Sequence, residues 1–505
     1  MLTNILEYLE ISANKYPEKI AFSTGKDDMS FAELSRAARA VGSYICDTAG
    51  VFRRPVVVFM DKHPKTIAAF FGVIYSGNFY VCLDEKMPDA RIISILESLD
   101  APLVIADKKK NADRMASLTS ASVVLYDDIA THEINEAALA AVRAKQIDTD
   151  PIYVVFTSGS TGVPKGVVAC HRSVIDYTEH LSEAIGFSHE TVFGNQTPLY
   201  FDAPLKEIMP TLKFGATTYF VPKVCFSFPV KLIEYLNQYK INTVCWVVSA
   251  FVQVSSLGAL EKFRPEYLTT VAFGSEVFPK NQYKIWRDAL PEARFFNLYG
   301  PTEATGMSCF WEATRELDEE EPIPIGKPFK NTRIYLIDEG REVADGESGE
   351  ICIGGTCLTM GYYNNKEKTA EAFVQNPTNT AFDELLYRTG DIGRYNGEGE
   401  LVFVCRRDSQ IKHMGHRIEL GEIESAALKC EGVSRAVCLY DAEDKRIVLF
   451  YVGAPDDKEL ASFIGGFLPR YMMPASIKRL SAMPLTDNGK IDRRYLRENL
   501  LKEQI

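Results

Sequence analysis

The chain has 505 residues, 46% hydrophobic and 25% charged, with a formal net charge of −12 and a pI near 5.3. That balance is globular and long enough for several domains. Its acidity argues against general nucleic-acid binding or docking on an anionic membrane, and leaves room for a local basic pocket around a nucleotide. No run approaches the ~18 apolar residues of a membrane span, and Met1–Ile5 shows no basic region followed by an apolar core. Eleven dispersed cysteines without a Cys-x-x-Cys pair fit reduced thiols, and so a cytoplasmic protein, better than disulfides or structural zinc.

In chain order, Asn4 to Ala13 reads as an opening helix. Asn4 can cap it, Glu7 stands at the capping-box position, and Ile5, Leu6 and Leu9 share one face. Up to about residue 150, strand-like apolar runs alternate with amphipathic helices. Val56–Phe59 precedes a helix over 66–75, Tyr80–Leu83 precedes one over 90–99, and Leu103–Ile105 follows. Such alternation predicts a layered α/β domain with a largely parallel sheet. The rhythm returns between about 190 and 310, where Thr243–Val248 and Thr270–Phe273 each lead into Ser/Gly turns. Open α/β sheets collect ligands at the carboxyl ends of their strands, so motifs directly after strands are candidates for a site. From about 321, short alternating segments such as Arg333–Ile337 and Glu350–Ile353 predict antiparallel β structure. The C-terminal stretch reads as a smaller α/β unit, with helices over 422–428 and 458–467 and strands over 436–439 and 447–452.

Between the two α/β blocks lies Tyr153–Val167, YVVFTSGSTGVPKGV. A short β-rich run, Tyr153–Phe156, breaks into Thr157, Ser158, Gly159, Ser160, Thr161 and Gly162, with Lys165 three residues on. Such a loop can turn several N–H and O–H donors into one concavity and hold phosphate with few charges. It is not a Walker A loop, because Pro164 precedes the lysine and Gly166 follows it. Taken alone, a loop of this composition is more often a flexible surface hairpin.

Five further segments follow in order: Asn297–Thr305 (NLYGPTEAT), Tyr387–Asp391 (YRTGD), Arg406–Lys412 (RRDSQIK), Gly415–Glu424 (GHRIELGEIE) and Pro484–Lys490 (PLTDNGK). With the loop, this ordered set resembles the acyl-adenylate-forming superfamily, specifically its amino-acid adenylation domains, over nearly the whole chain. Length and motif wording are similar to those of stand-alone D-alanine–carrier-protein ligases. The resemblance implies an α/β fold in two parts. A large N-terminal domain over 1–407, made of layered α/β subdomains plus a small β-barrel-like part, would hold the ATP and amino-acid site. A small mobile α/β C-terminal domain over 408–505 would turn about a hinge at Asp408.

In that family a carboxylate attacks the α-phosphorus of ATP, pyrophosphate leaves, and a phosphopantetheine thiol then takes the acyl group. ATP and Mg2+ are the implied cofactors, and an amino acid and a phosphopantetheinylated carrier protein the implied partners. Joining two anions calls for positive charge and aligned donors. The resemblance assigns the β- and γ-phosphates to the 157–166 loop and Mg2+ to Glu303. It stacks Tyr299 on adenine beside Gly300, sets Gly274, Ser275 and Glu276 at the edge of the base, and draws Asn297, Leu298, Pro301 and Thr302 into the same nucleotide site. Asp391 suits the ribose hydroxyls, with Arg406 in support, and Lys490 bridges the substrate carboxylate and the α-phosphate. Thr302, Glu303 and Lys490 form the implied catalytic set, and Gly415 lines the path of the pantetheine arm. The chain departs from the pattern at Cys405, where the family usually has glycine, and at His413 and His416, which read as surface residues.

Asp202 matches the position at which amino-acid-activating members bind the substrate α-ammonium. A buried carboxylate there makes sense with a charged amine as ligand. The implied side-chain pocket comprises Ala203, Lys206, Cys245 or Trp246, Val271, Phe273, Leu298, Gly306 and Met307, and Lys490 also reaches the substrate. Phe273 and Leu298 are bulky and point to a small side chain such as that of alanine. D-alanine ligases typically carry Cys where Gly274 stands, which argues against D-alanine. Lys206 would suit an acidic side chain, and Ala203 with Lys206 resembles some glutamate-activating pockets; alternatively its stem packs while the ammonium reaches water.

No Gly-Gly-x-Ser attachment motif follows Lys490, fifteen residues from the last, so the expected carrier is a separate chain, or the chain is a module excised from a larger nonribosomal peptide synthetase-like protein. An acyl- or aryl-CoA ligase is the alternative within enzymology, and Asp202 speaks against it. A binding protein that keeps the nucleotide site without turnover is the alternative outside it, and Glu303, Lys490 and the loop speak against that.

Overall fold

The computed structural model describes residues 2–159, 164–318, 321–407, 410–485 and 491–501. The chain divides into two compact units. The larger comprises Met1–Glu85, Leu99–Val155 and Gly166–Arg407, and the smaller comprises Lys86–Ser98, Phe156–Lys165 and Asp408–Ile505. One break between the units falls between Arg407 and Asp408. The grouping of 86–98 and 156–165 with the C-terminal residues is a tertiary fact that no local pattern carries.

The opening helix is Leu6–Lys15. Glu7 accepts the Asn4 N–H as expected, while the Asn4 side chain accepts the Leu6 N–H and the Glu7 N–H goes to the Asn4 carbonyl, so the capping box is half formed. One sheet of the larger unit runs Ser122–Leu125, Leu103–Ala106, Pro55–Phe59, Phe79–Cys82, Pro151–Thr157, Lys165–Cys170. Its registered pairs are parallel, for instance Val57 with Val81 and with Val104. Strands buried on both faces give the continuous Val/Ile runs seen in the sequence. The second sheet runs Lys327–Pro328, Cys309–Glu312, Arg294–Tyr299, Thr270–Gly274, Thr243–Val247, Val192–Asn195, Thr217–Phe220, Ile20–Ser23, Asp28–Ser30. Its central strands are parallel and its ends antiparallel. Beyond residue 330 the strands pair antiparallel, with Thr332–Asp338 against Gly349–Gly355 and the latter against Leu385–Tyr395.

The faces of the second sheet decide what lines the site. Trp246 pairs with Phe273, and Cys245 with Ala272. Successive strand residues point to opposite faces. Cys245, Ala272, Phe296 and Leu298 therefore enter one core, with Leu205, Ile208 and Met307. Trp246, Val271 and Phe273 enter another, with Phe226, Phe251 and Phe278.

In the smaller unit, Val433–Asp441 pairs antiparallel with Arg446–Gly453, which pairs parallel with Ser476–Arg479. Both faces of this sheet are covered: Cys438, Leu449 and Tyr451 join one core, and Val437, Val448 and Phe450 another. A hairpin, Gln410–His413 with His416–Glu419, turns through Met414 and Gly415 at positive φ, the geometry of a two-residue type I′ connection. His413 and His416, expected at the surface, are half-buried. His413 meets the Tyr440 ring edge-on, and His416 stacks on Tyr471 with ring centroids 3.8 Å apart.

Candidate active site

Strand Arg294–Tyr299 delivers its last residue to a tight turn. The Ser308 N–H donates to the Tyr299 carbonyl at 2.7 Å, and a single 3-10 turn, Thr302–Ala304, lies between. Gly300 is required there, since a Cβ would stand 2.5 Å from Met307 Cα and 2.6 Å from Ser308 N. The Tyr299 hydroxyl donates to Asp391 Oδ2 at 2.7 Å, and Arg406 Nη1 donates to Asp391 Oδ1 at 2.6 Å. Asp391 and Arg406 face each other in neighbouring strands, which is why a carboxylate fifteen residues from its arginine meets it. Burial together with the Asp391 charge pushes the Tyr299 phenol well above its ordinary range, so it remains a donor. Each Asp391 oxygen keeps a lone pair for a further donor, such as a ribose hydroxyl.

Glu303 is fully buried, and its Oε1 accepts the Tyr362 hydroxyl at 2.8 Å. Its backbone carbonyl accepts both the N–H and the hydroxyl of Thr359. The Thr302 hydroxyl lies near the carboxyl of Asp202 and favours its charged form. Asp202 lies just before helix Leu205–Phe214, and its Oδ2 is 3.9 Å from where a Cβ on Gly306 would be. Asp202 keeps some accessible surface. Even so, the surrounding protein desolvates its carboxyl and, with help from the Glu303 charge, raises it above the ordinary range against the pull of Thr302 and Lys206.

Lys206 and Glu207 open the same helix and are 4% and 0% exposed. Glu207 accepts a long hydrogen bond from the Asn195 amide at 3.4 Å, while its other oxygen has no partner among the described residues. Burial pushes this carboxyl up to about 8, against the opposing pull of Lys206 and Lys62. Lys62 donates to the carbonyls of Asn195, Gln196 and Val221, and burial lowers it to about 8. The Cys245 thiol feels both Glu207 and Lys206, and the Tyr177 phenol feels Asp202, Cys245 and Glu207, so these groups share one neighbourhood.

Of the two residues left open for the pocket, Cys245 is thus the one beside Lys206. Trp246 donates its indole N–H to the Gly194 carbonyl and packs on Phe226 and Phe251, on the opposite face of the sheet. Phe273 packs on Phe278 and Tyr283, also on that face. Trp246 and Phe273 enter a different core from Cys245 and Ala272, so the bulk of Phe273 gives no measure of the space near Asp202. The physical reason is strand alternation, which sequence spacing shows only once the register is known. Ala272, on the near face, was not expected. Gly274 has a packing reason of its own, because a Cβ there would stand 2.3 Å from the Leu298 carbonyl oxygen. Glu276 accepts the Ser249 N–H at 2.8 Å in the first turn of helix Val248–Ser256. Asn297 donates to the Pro324 carbonyl at 2.7 Å, and Ala203 is half-buried beside Asp202.

The described part of the loop belongs to the smaller unit. There two of its hydroxyls are already engaged. Ser158 donates to the Arg417 carbonyl at 2.9 Å and accepts the Glu419 N–H at 3.2 Å. The Gly159 N–H lies near the Glu422 carboxylate and favours its charged form, and Thr157 makes a long bond to the Lys165 carbonyl. Glu422, 1% exposed, is paired with Arg91. Ser160, Thr161, Gly162, Asp408 and Lys490 lie outside the described residues.

The AMP-binding enzyme family matches residues 9–363, and the AMP-binding enzyme C-terminal domain matches residues 422–490. The chain belongs to the AMP-binding enzymes. Among relatives, it is 31% identical to zwittermicin A synthase ZmaJ of Bacillus cereus, over 98% of this chain and 95% of that protein. It is 33% identical to a linear gramicidin synthase of Brevibacillus parabrevis, over 96% of this chain and 6% of that protein. It is 30% identical to tyrocidine synthase 1 of Brevibacillus parabrevis over 98% of this chain, and this AMP-binding enzyme spans 45% of that synthase. Its fold is similar to that of holo-PA1221, an NRPS protein containing adenylation and PCP domains, with a TM-score of 0.85 and 23% identity over 98% of this chain and 84% of that one. It is also similar to IdnL1, with a TM-score of 0.79 and 26% identity over 95% and 98%.

Sequence reasoning missed Tyr362 and Thr359 on Glu303, and Lys62, Asn195 and Tyr177 around Glu207. No spacing links residue 303 to 362, or 62 to 207. Only the strand ends bring them together. The one local signal was the pair of adjacent ionisable residues, Lys206 and Glu207, at the start of helix Leu205–Phe214.

Proposed function

We propose that the chain activates an amino acid with ATP and passes it to a carrier protein. A substrate carboxylate oxygen bonds to the α-phosphorus, the bond to pyrophosphate breaks, and aminoacyl-AMP forms. The phosphopantetheine thiol of a carrier, taken as a separate chain, then attacks the carbonyl, loses its proton to solvent, and AMP leaves. The observation that carries this reading is Asp202. It is a desolvated carboxyl beside Thr302 and Glu303, with no cation within ion-pair distance among the described residues. Such a group is stabilised by an ammonium ligand. Asp391, held by Tyr299 and Arg406, supports a ribose site at the end of the same strand. The named peptide synthases among its relatives support the amino-acid reading as well.

Mg2+ commonly takes one or two protein carboxylates and completes its shell with phosphate oxygens and water. Glu303 fits that need as a single, fixed carboxylate, and no group of three acidic, His or Cys residues among the described residues offers a fuller cage. When bound, the ion would neutralise phosphate charge. Lys490 is assigned to the substrate carboxylate and α-phosphate on its motif alone.

Carboxylate-dependent ATP–pyrophosphate exchange tests the proposal. Amino acids are expected to support exchange, and Asp202→Asn and Lys490→Ala to abolish it. Exchange only with acids lacking an α-amine would instead make the chain an acyl- or aryl-CoA ligase. Loading of a separate holo carrier protein in trans tests the second half-reaction.

A further inference from the structure

Lys206 is 4% exposed, so its side chain is almost wholly withdrawn from bulk water. It makes no side-chain hydrogen bond or ion pair with any described residue; only its backbone N–H is engaged, with the Ala203 carbonyl. An enclosed, unpaired ammonium is costly, and the usual remedies are an anion or a shift to the neutral form. The nearest acidic groups are poorly suited to be that anion. Asp202 is turned toward Thr302 and Gly306, and Glu207 is bonded to Asn195. Burial also holds Glu207 up to about 8, which leaves it neutral near pH 7. Lys62 adds a second buried cation to this neighbourhood, with its donors directed at three backbone carbonyls. The sheet face that carries Cys245 and Ala272 also carries the larger Phe296 and Leu298.

We infer that the substrate's side chain carries a carboxylate, held by the Lys206 ammonium while Asp202 holds the α-ammonium. The inference rests on the amino-acid reading above and narrows it to aspartate or glutamate. Asp202 lies in the turn before helix Leu205–Phe214 and Lys206 in its first turn, so the two opposite charges sit close together in the chain at one helix end. They match the two ends of an acidic amino acid and leave its α-carboxylate as the reacting group. A neutral side chain of the same length would bury Lys206 without a partner.

The test is ATP–pyrophosphate exchange on the wild-type chain with D- and L-aspartate, glutamate, asparagine, glutamine and alanine, repeated with Lys206→Met and Lys206→Arg. One acid is expected to exceed its own amide in kcat/KM by at least about 30-fold, the scale of a buried charge pair losing a partner. Lys206→Met is expected to erase or invert that ratio, and Lys206→Arg to keep its direction. Exchange in which alanine or an amide equals or exceeds both acids overturns the inference and leaves the amino-acid reading standing. A Lys206→Met loss that falls equally on acids, amides and alanine places the lysine on the α-carboxylate and also overturns it. Exchange with no amino acid removes the broader reading and this one with it. The wild-type panel decides the first point whether or not the variants fold.

Discussion

Replacing Glu207 by glutamine isolates one buried titration. The carboxyl is fully buried, has one long hydrogen bond and is pushed up to about 8 from an ordinary value of 4.5. Between those values the folded chain keeps a proton that the unfolded chain releases. The stabilising contribution of the neutral form is complete below about 4.5 and is lost progressively as pH rises toward 8. Each pH unit in that window removes about 1.4 kcal/mol. Glutamine keeps the shape and the polar edge but has no proton to lose. The stability of Glu207→Gln relative to wild type should therefore grow by about 3 kcal/mol between about pH 5 and pH 7.5. Stopping at 7.5 limits interference from Lys62, which titrates near 8 from the other direction and gains stability above that point. Trp246, Trp286 and Trp311 are the only tryptophans and all lie in the larger unit, so urea unfolding followed by tryptophan fluorescence reports the right part of the chain. A gap between variant and wild type that stays flat across this range would refute the reasoning, because it would mean that Glu207 ionises as freely folded as unfolded.

Three further outcomes follow from single contacts. Tyr299→Phe removes the 2.7 Å bond to the Asp391 carboxylate and should weaken AMP binding and lower the melting temperature, by about 1.5–3 kcal/mol in stability; calorimetric titration with AMP together with thermal melting checks both, and no change in either sinks the assignment. Gly274→Ala drives a methyl to 2.3 Å from the Leu298 carbonyl and should cost about 1–3 kcal/mol whichever enantiomer of substrate is offered; a stable variant with altered chirality would show that the position serves the substrate rather than the sheet. Arg91→Met leaves the Glu422 carboxylate, 1% exposed, without its cation and should destabilise the smaller unit by about 3–5 kcal/mol, with most of the loss recovered in Arg91→Met/Glu422→Met; hydrogen exchange over Leu420–Leu428 reads it, and an unrecovered double variant would count against a simple ion-pair role.

Periodicity alone placed most elements within a few residues. The helix expected over 66–75 runs from Pro64 to Tyr75, and the strands expected over 436–439 and 447–452 are the cores of longer ones. Local propensity, apolar period and capping chemistry act over a few residues, so the sequence carries them directly. The ordered motifs also delivered Tyr299, Glu303, Asp391 and Arg406 to one unit, and Asp202 to the same turn through Thr302. What sequence left open was which side of a strand each pocket residue takes. Cys245 and Trp246 are neighbours in the chain and enter different cores, because a one-residue step reverses the face. The sequence likewise left Lys206 either facing an acidic ligand or reaching water along its stem, and it is 4% exposed once helix Leu205–Phe214 is packed. The chain's own letters thus determined the family of reaction, through residue types at fixed local spacing. Only the tertiary structure, by burying some charges and pairing others across strands far apart in sequence, decided which of those residues lie together.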